Sequence, residues 1–236
     1  MLPPLELFLF MGIHQWVLAL APGLMIAMAI YYFDKYEKEP FKLILKAFLL
    51  GCISVIPAYY IERFAFYYFD DFYGNFFKAA IASYIVIGLT EEGSKFLFFR
   101  KFLFKHRELN EPYDAILYAV MVSLGFATVE NVLYVMEGGS KVALLRMFTA
   151  VPAHAAFAIL FGYFAGLAKF AHTKSQSFIL LSLGLLIAVL VHGTYDLLLF
   201  IGNNYWIIFG AFLHFILALY LAFRAVRIHR HNSNFK

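Results

Sequence analysis

Seven stretches of this chain are apolar over about 20 residues, the length that an α-helix needs to cross the hydrocarbon core of a bilayer. They are 10–33, 43–62, 79–99, 115–136, 146–169, 178–200 and 205–226. Of the 236 residues, 63% are hydrophobic and 14% are charged, against about 45–50% and about 25% in soluble domains. A soluble fold could not bury this much apolar surface. The sequence therefore predicts an all-α, polytopic membrane helix bundle of about seven transmembrane helices, formed by a single domain, 1–236.

The basic residues between these stretches predict the orientation of the bundle. Thirteen Lys and Arg residues lie in segments on the side of the C-terminus, and four lie in segments on the other side. Cytoplasmic loops of membrane proteins carry such an excess of Lys and Arg. We therefore expect the N-terminus outside and the C-terminus inside, in the inner (cytoplasmic) membrane of a cell. The charged segment 34–40 is expected to be a solvated anchor on the inner side.

Three further features narrow the class of protein. The net charge of +4 is too small to indicate a nucleic-acid-binding protein. Residues 1–10 lack a basic segment and an obvious cleavage site, so we expect them to lead into an uncleaved first span. The single cysteine, Cys52, excludes an intramolecular disulfide and any cysteine-based zinc site within one chain.

The stretch 79–99 contains three ionisable residues, Glu91, Glu92 and Lys95. A charged side chain at the centre of a bilayer costs about 2.5–3.5 kcal/mol on insertion scales, so it usually has a function or a partner. Spacings of four and three residues bring Lys95 within reach of both carboxylates. One ammonium group cannot fully neutralise two carboxylates. The other carboxylate is then available to bind a metal ion, to contact water or to act as a general base.

Three further spans carry residues of the same kinds. Glu130 lies in 115–136, His154 lies between alanines in 146–169, and His192 and Asp196 are four residues apart in 178–200. Each could be structural by itself, as a helix–helix hydrogen bond, a buried histidine or an ion pair. Two other histidines within spans have no acidic neighbour at helical spacing and are expected to be structural: His14 and His214.

The expected depth of these residues in the membrane favours one shared site. At 1.5 Å per residue, Glu130, His154 and His192 lie roughly 9–12 Å from the outer ends of their spans. Glu91 lies deeper, at roughly 18 Å on the same scale. We therefore expect these residues to converge in the outer half of the membrane.

Carboxylates and imidazoles that are sheltered from lipid can activate water in two ways. In one, histidines and a carboxylate hold a metal ion such as Zn²⁺, which lowers the pKa of its bound water, and a glutamate accepts the proton. In the other, a glutamate is the base without a metal, and His or Asp side chains stabilise the oxyanion. Both predict hydrolysis of peptide bonds within the membrane. The alternative is a proton-coupled transporter or channel that uses the same residues as a relay, which the lack of an internal repeat disfavours.

The motifs in these spans resemble those of the PrsW family of membrane proteases. They are E-E-x-x-K at 91–95, F-x-x-x-E-N at 126–131, a histidine at 154 and H-x-x-x-D at 192–196. D-x-x-E-K-E-P at 34–40 is similar to the first cytoplasmic loop of that family. The resemblance implies a multi-pass bacterial protease that cleaves single-span or membrane-anchored proteins, typically regulators such as anti-sigma factors. It also implies kinship with the CAAX-type, or glutamic, intramembrane proteases.

Two positions depart from the CAAX-type motifs, which argues against a direct copy of their metal-free mechanism, and the acidic residue at one of them, Glu130, favours the metal-dependent chemistry. Lys95 lies one residue before the position of their arginine, and Glu130 occupies the position of a histidine. The predicted catalytic residues are Glu91 as the general base, Glu92 as its partner or as a supporting carboxylate, and Lys95, which offsets their charge. The residues predicted to hold a metal or to position water are Glu130, His154, His192 and Asp196, the last of which orients His192.

Overall fold

The computed structural model describes residues 12–34, 37–68 and 75–231, and all regular secondary structure within these ranges is helical. The elements in chain order are α1 (Ile13–Phe33), α2 (Phe41–Tyr68), α3 (Phe76–Ile81), a π-helical segment (Ala82–Gly88), α4 (Leu89–Phe102), α5 (Pro112–Phe148), α6 (Ala150–Lys169), α7 (Lys174–Phe200) and α8 (Tyr205–His231). The all-α prediction is confirmed. Residues 1–10, for which we expect a lead into an uncleaved span, lie outside the described residues.

Five helical stretches of the described chain are long and apolar enough to cross a membrane. They are Ile13–Phe33, Phe41–Tyr68, Pro112–Lys169, Lys174–Phe200 and Tyr205–His231. Pro112–Lys169 contains two of the predicted spans, and the predicted span 79–99 is interrupted by the π-helical segment and carries three charged residues. The structure therefore supports a multi-pass membrane protein, and the count of seven spans stays a prediction.

The helix α5 lies at the centre of the bundle, where α1, α2 and α6 pack along it. Every residue from Tyr113 to Thr128 is buried. A helix that is apolar around its whole circumference is typical of such a central position. The residues of α5 that follow this buried stretch include Glu130, so the packing of α5 determines where that carboxylate lies.

Two glycines allow α2 and α5 to cross closely. A Cβ atom on Gly51 would lie 1.9 Å from the carbonyl oxygen of Val122, and one on Gly125 would lie 2.0 Å from the carbonyl oxygen of Phe48. Small residues at such positions let transmembrane helices approach each other backbone to backbone. The crossing therefore fixes α5 against α2 five residues before Glu130.

One end of the bundle, which we call the basic end, contains the C-terminal ends of α1, α4, α6 and α8. The hydroxyl of Tyr113 at the start of α5 donates to the carbonyl of Ile30 near the end of α1 (2.9 Å). The ammonium of Lys169 at the end of α6 donates to the carbonyl of Phe104, just after α4 (3.0 Å). His229 of α8 lies 2.9 Å from the carbonyl of Tyr163 of α6. These contacts bring the ends of the helices together on one side.

Two acidic residues of the charged segment that follows α1 are buried, so our expectation of a solvated anchor is wrong for Asp34 and Glu39. Asp34 is 1% exposed and Glu39 is 3% exposed. The backbone amide of Glu39 donates to the carboxylate of Asp34, and the hydroxyl of Tyr118 donates to the carboxylate of Glu39. These bonds join the segment to α5. Burial raises the pKa of Asp34 to about 6 and the pKa of Glu39 to about 7.

We predict that Gly125→Ala destabilises the bundle by about 1–3 kcal/mol, the usual range for overpacking, because the added Cβ overlaps the carbonyl of Phe48. Gly210→Ala is the matched control, since a Cβ atom there has no neighbour within 4 Å. Thermal unfolding in detergent would measure both variants. Equal unfolding temperatures for the two variants would contradict the close crossing of α2 and α5.

We also predict that the protein loses stability as the pH rises from 5 to 8. The pKa values of Asp34 and Glu39 are higher in the folded chain than their ordinary values of about 4. Their contribution to stability is therefore complete below about pH 4 and is lost as the pH rises through the folded pKa values of about 6 and about 7.

Glu39→Gln tests this pH dependence, because glutamine keeps an oxygen that accepts from Tyr118 but cannot ionise. Its unfolding temperature should fall less between pH 5 and pH 8 than that of the wild type. Glu137→Gln removes an exposed carboxylate and should keep the dependence of the wild type. If Glu39→Gln and Glu137→Gln show the same slope, Glu39 is not the source.

Candidate active site

The first turn of α4 places two carboxylates in the interior of the bundle, and Lys95 adds an ammonium group one turn later. Lys95 Nζ donates to Glu92 Oε1 at 2.7 Å and to Glu91 Oε2 at 3.2 Å, as their spacing predicts. All three residues are at most 5% exposed. The π-helical segment lies directly before this turn, and departures of this kind from α-helical geometry are frequent at functional sites.

The imidazole of His154 on α6 bridges this group and a third carboxylate. Its Nδ1 lies 3.2 Å from Lys95 Nζ, and its Nε2 lies 2.9 Å from Glu130 Oε2 on α5. An ammonium group can only donate, so Nδ1 accepts in this arrangement and Nε2 carries the proton that it donates to Glu130. The Nδ1 lone pair of His154 therefore points into the site.

The imidazole of His192 on α7 lies between two carboxylates, and ionised carboxylates can only accept, so both ring nitrogens donate in this arrangement. Its Nδ1 lies 2.8 Å from Glu92 Oε1, and its Nε2 lies 3.3 Å from Asp196 Oδ2. The ring stacks on Phe157 and lies 5.2 Å from the ring of His154, centroid to centroid. Both imidazoles thus present Nδ1 to the centre of the site and Nε2 to an outer carboxylate.

Arg146 belongs to the site, although the sequence places it among the outer basic residues. Its guanidinium donates to Glu130 at 2.9 Å and to the side-chain oxygen of Asn131 at 3.0 Å. A straight helix would separate residues 130 and 146 by about 24 Å. The chain reverses direction at Gly139, whose φ of 68° lies in the left-handed region that glycine adopts without strain. The periodicity of apolar residues does not reveal this reversal. The glycine is the one feature of the sequence that could have predicted it.

Glu62 on α2 is a second residue of the site that the sequence did not indicate. Its Oε1 is buried and has no hydrogen-bond partner among the described residues. Its carboxylate interacts electrostatically with Glu91, Glu130 and His192. Glu62 is the last residue of the predicted span 43–62. An acidic residue at that position looks like the ordinary polar end of a span, so it did not indicate a site.

All the predicted site residues belong to one connected network in the structure. The network consists of Glu91, Glu92, Lys95, Glu130, His154, His192 and Asp196. The two histidines expected to be structural bond elsewhere. His14 contacts Ser140 Oγ at 3.1 Å, and His214 contacts the carbonyl of Val191 at 2.8 Å.

Four residues of the network could hold one metal ion. Ligand atoms of Glu91, Glu92, His154 and His192 lie within 4.8 Å of one another, and all four residues are buried. Carboxylate oxygens and imidazole nitrogens are donors that Zn²⁺ takes in proteins. The set differs from the predicted one, because Glu130 and Asp196 contact the outer nitrogens of the imidazoles. Lys95 contacts three of the four residues, so a metal ion would require its ammonium to turn aside.

The formal charges of the site also favour a cation. Five carboxylates meet three cationic groups, which are Lys95, Arg146 and the imidazole of His192 between two carboxylates. The five are Glu62, Glu91, Glu92, Glu130 and Asp196. Uncompensated charge is costly in the interior of a bundle. The donor set and the excess negative charge therefore both fit a divalent metal ion.

Comparison with known proteins gives the family. Residues 39–225 match the family described as PrsW family intramembrane metalloprotease. Protease PrsW of Shouchella clausii is 36% identical over 86% of this chain and 90% of its own length. Protease PrsW of Geobacillus kaustophilus is 35% identical over 82% of this chain and 83% of its own length. Protease PrsW of Bacillus subtilis is 34% identical over 80% of this chain and 83% of its own length. No solved structure matches the chain. The chain belongs to the PrsW family of intramembrane metalloproteases and is a membrane-embedded peptidase.

Proposed function

We propose that this peptidase cleaves single-span or membrane-anchored regulatory proteins, with water activated at the network of α4, α5, α6 and α7. The observation that carries the proposal is the convergence of Glu91, Glu92, His154 and His192, from three helices, within 4.8 Å. The family match supports a protease and gives no support to the proton-coupled transporter that the sequence left open.

Glu91 is the carboxylate best suited to act as the general base. Glu92 contacts both Lys95 and His192, whereas the one hydrogen bond that Glu91 makes among the described residues is with Lys95. A carboxylate with a free oxygen can accept a proton from the attacking water and then pass it to the leaving amine. Lys95 stabilises both carboxylates and holds them in place.

The residues that would hold a metal ion, for which we propose Zn²⁺, are His154 and His192 with Glu92. Such an ion lowers the pKa of its bound water and polarises the scissile carbonyl. Glu130 and Asp196 would orient the two imidazoles from outside, because each contacts an Nε2 while Nδ1 faces inward. Carboxylates commonly hold the ligating histidines of metal sites in this way. Glu130 is thus assigned an orienting role in place of that of a ligand.

We infer that the protein lies in the inner membrane with its basic end facing the cytoplasm. It would then have seven spans, with the N-terminus outside and the C-terminus inside. The distribution of Lys and Arg supports this orientation. His154 lies four residues from the start of α6, in the half of that helix that is away from the basic end. That distance corresponds to about 6 Å along the helix. Cleavage would therefore take place in the outer half of the membrane.

We predict that Glu91→Gln lowers the rate of cleavage by about 10²–10⁴-fold, the usual contribution of a general base, and leaves the bound metal in place. His192→Ala should lose both cleavage and metal. The purified full-length variants would be reconstituted with a panel of single-span membrane proteins. Cleavage would be followed by gel and mass spectrometry, and bound zinc by elemental mass spectrometry.

Glu137→Gln removes an exposed carboxylate from α5, and it should keep wild-type cleavage and zinc. If Glu91→Gln retains full cleavage, Glu91 is not the base. If wild-type cleavage proceeds without bound metal and is unaffected by chelators, the chemistry is that of a glutamic protease without a metal.

We further predict that Arg146→Gln weakens zinc binding and lowers kcat by roughly 10- to 100-fold, the usual effect of disturbing the support of a metal ligand. The substitution leaves Glu130 without its arginine, so the carboxylate no longer holds His154 in one orientation. KM should change little. Arg146→Lys should restore much of the loss, and Arg63→Gln, which removes an exposed charge from α2, should have no effect. Unchanged zinc affinity and kcat in Arg146→Gln would refute this role.

A further inference from the structure

An apolar groove runs between α1 and α8 on the membrane-facing side of the bundle. Its volume is about 900 Å³. Its floor is one face of α6, formed by residues three or four positions apart: Pro152, Ala155, Ala156 and Ile159. Met25 and Ala29 of α1 line one wall, and Leu219 and Phe223 of α8 line the other. Small residues on the floor give the groove its depth.

The groove lies on the other side of α6 from the active site. His154 and Phe157 face the network with His192, whereas Ala155 and Ala156 line the groove. Successive residues of an α-helix are rotated by about 100°, so the two faces of α6 are separate. The groove is therefore distinct from the site that holds the catalytic residues.

Three arginines line the groove towards the basic end of the bundle. They are Arg224, Arg227 and Arg230, which lie at three-residue intervals on α8. None of them forms an ion pair with a described acidic residue. The Nε of Arg230 is buried and has no hydrogen-bond partner among the described residues. Its guanidinium carbon lies 5.9 Å from the ring centroid of Phe33 of α1, so this arginine spans the end of the groove.

A donor that is buried without a partner is costly, and guanidinium groups pair most strongly with phosphate or carboxylate oxygens. Basic pockets between transmembrane helices on the cytoplasmic side bind anionic lipid head groups. The groove has such basic residues at one end, and its apolar part extends from there towards the middle of the membrane. Its charge and polarity therefore match those of a phospholipid with an anionic head group.

We propose that this groove is a binding site for an anionic phospholipid of the leaflet at the basic end. The phosphate would lie against Arg224, Arg227 and Arg230, and an acyl chain would follow the small residues of α6. The lipid would bridge α1 and α8, and it would act as a structural ligand of the fold on the side away from the active site.

The test uses the purified full-length protein in a neutral detergent, titrated with phosphatidylglycerol or with phosphatidylcholine of the same acyl chains. Native mass spectrometry would count bound lipids, and thermal unfolding would report stabilisation. We expect roughly 10- to 100-fold tighter binding of phosphatidylglycerol, given three basic residues near the head group. Equal affinity for the two lipids would overturn the proposal.

A pair of triple variants separates the groove from general charge attraction. Arg224→Gln/Arg227→Gln/Arg230→Gln should abolish the preference for phosphatidylglycerol. Arg100→Gln/Lys101→Gln/Lys105→Gln removes three exposed charges at the same end but outside the groove, and it should retain the preference. Lipid binding is compared only between variants whose unfolding temperature without lipid equals that of the wild type. Equal loss in both triple variants would refute the site.

A second pair of variants tests the apolar part of the groove. Ala29→Trp fills the groove and should weaken the binding of both lipids. Met28→Trp changes the neighbouring exposed residue of α1, which does not line the groove, and it should bind as the wild type does. If Ala29→Trp leaves lipid binding unchanged, or if the mass spectra show a second copy of the chain in place of lipid adducts, the occupant is not a phospholipid.

Discussion

The ammonium group of Lys95 is the interaction on which the active site depends. It lies within 3.2 Å of Glu91, Glu92 and His154, which come from two helices. Its charge also lies 4.1 Å from the centroid of the Phe126 ring on α5. Removing one partner from a buried ion pair typically costs about 3–5 kcal/mol, because the remaining charge is left unpaired. Lys95 therefore makes it possible for two adjacent carboxylates to be buried inside this bundle.

The remaining geometry of the site depends on how α5 is held. The close crossing at Gly51 and Gly125 fixes α5 against α2, and five residues later α5 supplies Glu130. The reversal at Gly139 then returns the chain so that Arg146 pairs with the same carboxylate. Three glycines, two for close packing and one for a left-handed backbone, thus position the group that orients His154.

The sequence was sufficient to predict the helical membrane fold and the seven residues of the network, because ionisable residues within apolar stretches are conspicuous. It could not predict contacts that depend on how the chain turns between helices. The sequence places Arg146 among the outer basic residues, since nothing in the helical period indicates the reversal at Gly139. Glu62 was hidden at the edge of a span. The burial of Asp34 and Glu39 could not be predicted either, because Glu39 contacts Tyr118 of α5, more than 75 residues away along the chain.

The same electrostatics explains how the side chains of the site hold one another in place. Here Glu92 and both imidazoles already have protein partners in Lys95, Glu130 and Asp196. The network is thus held together by ion pairs and hydrogen bonds among its own side chains, while its negative groups still outnumber its positive ones. Side chains that hold one another in position before the reaction begins are typical of a catalytic centre.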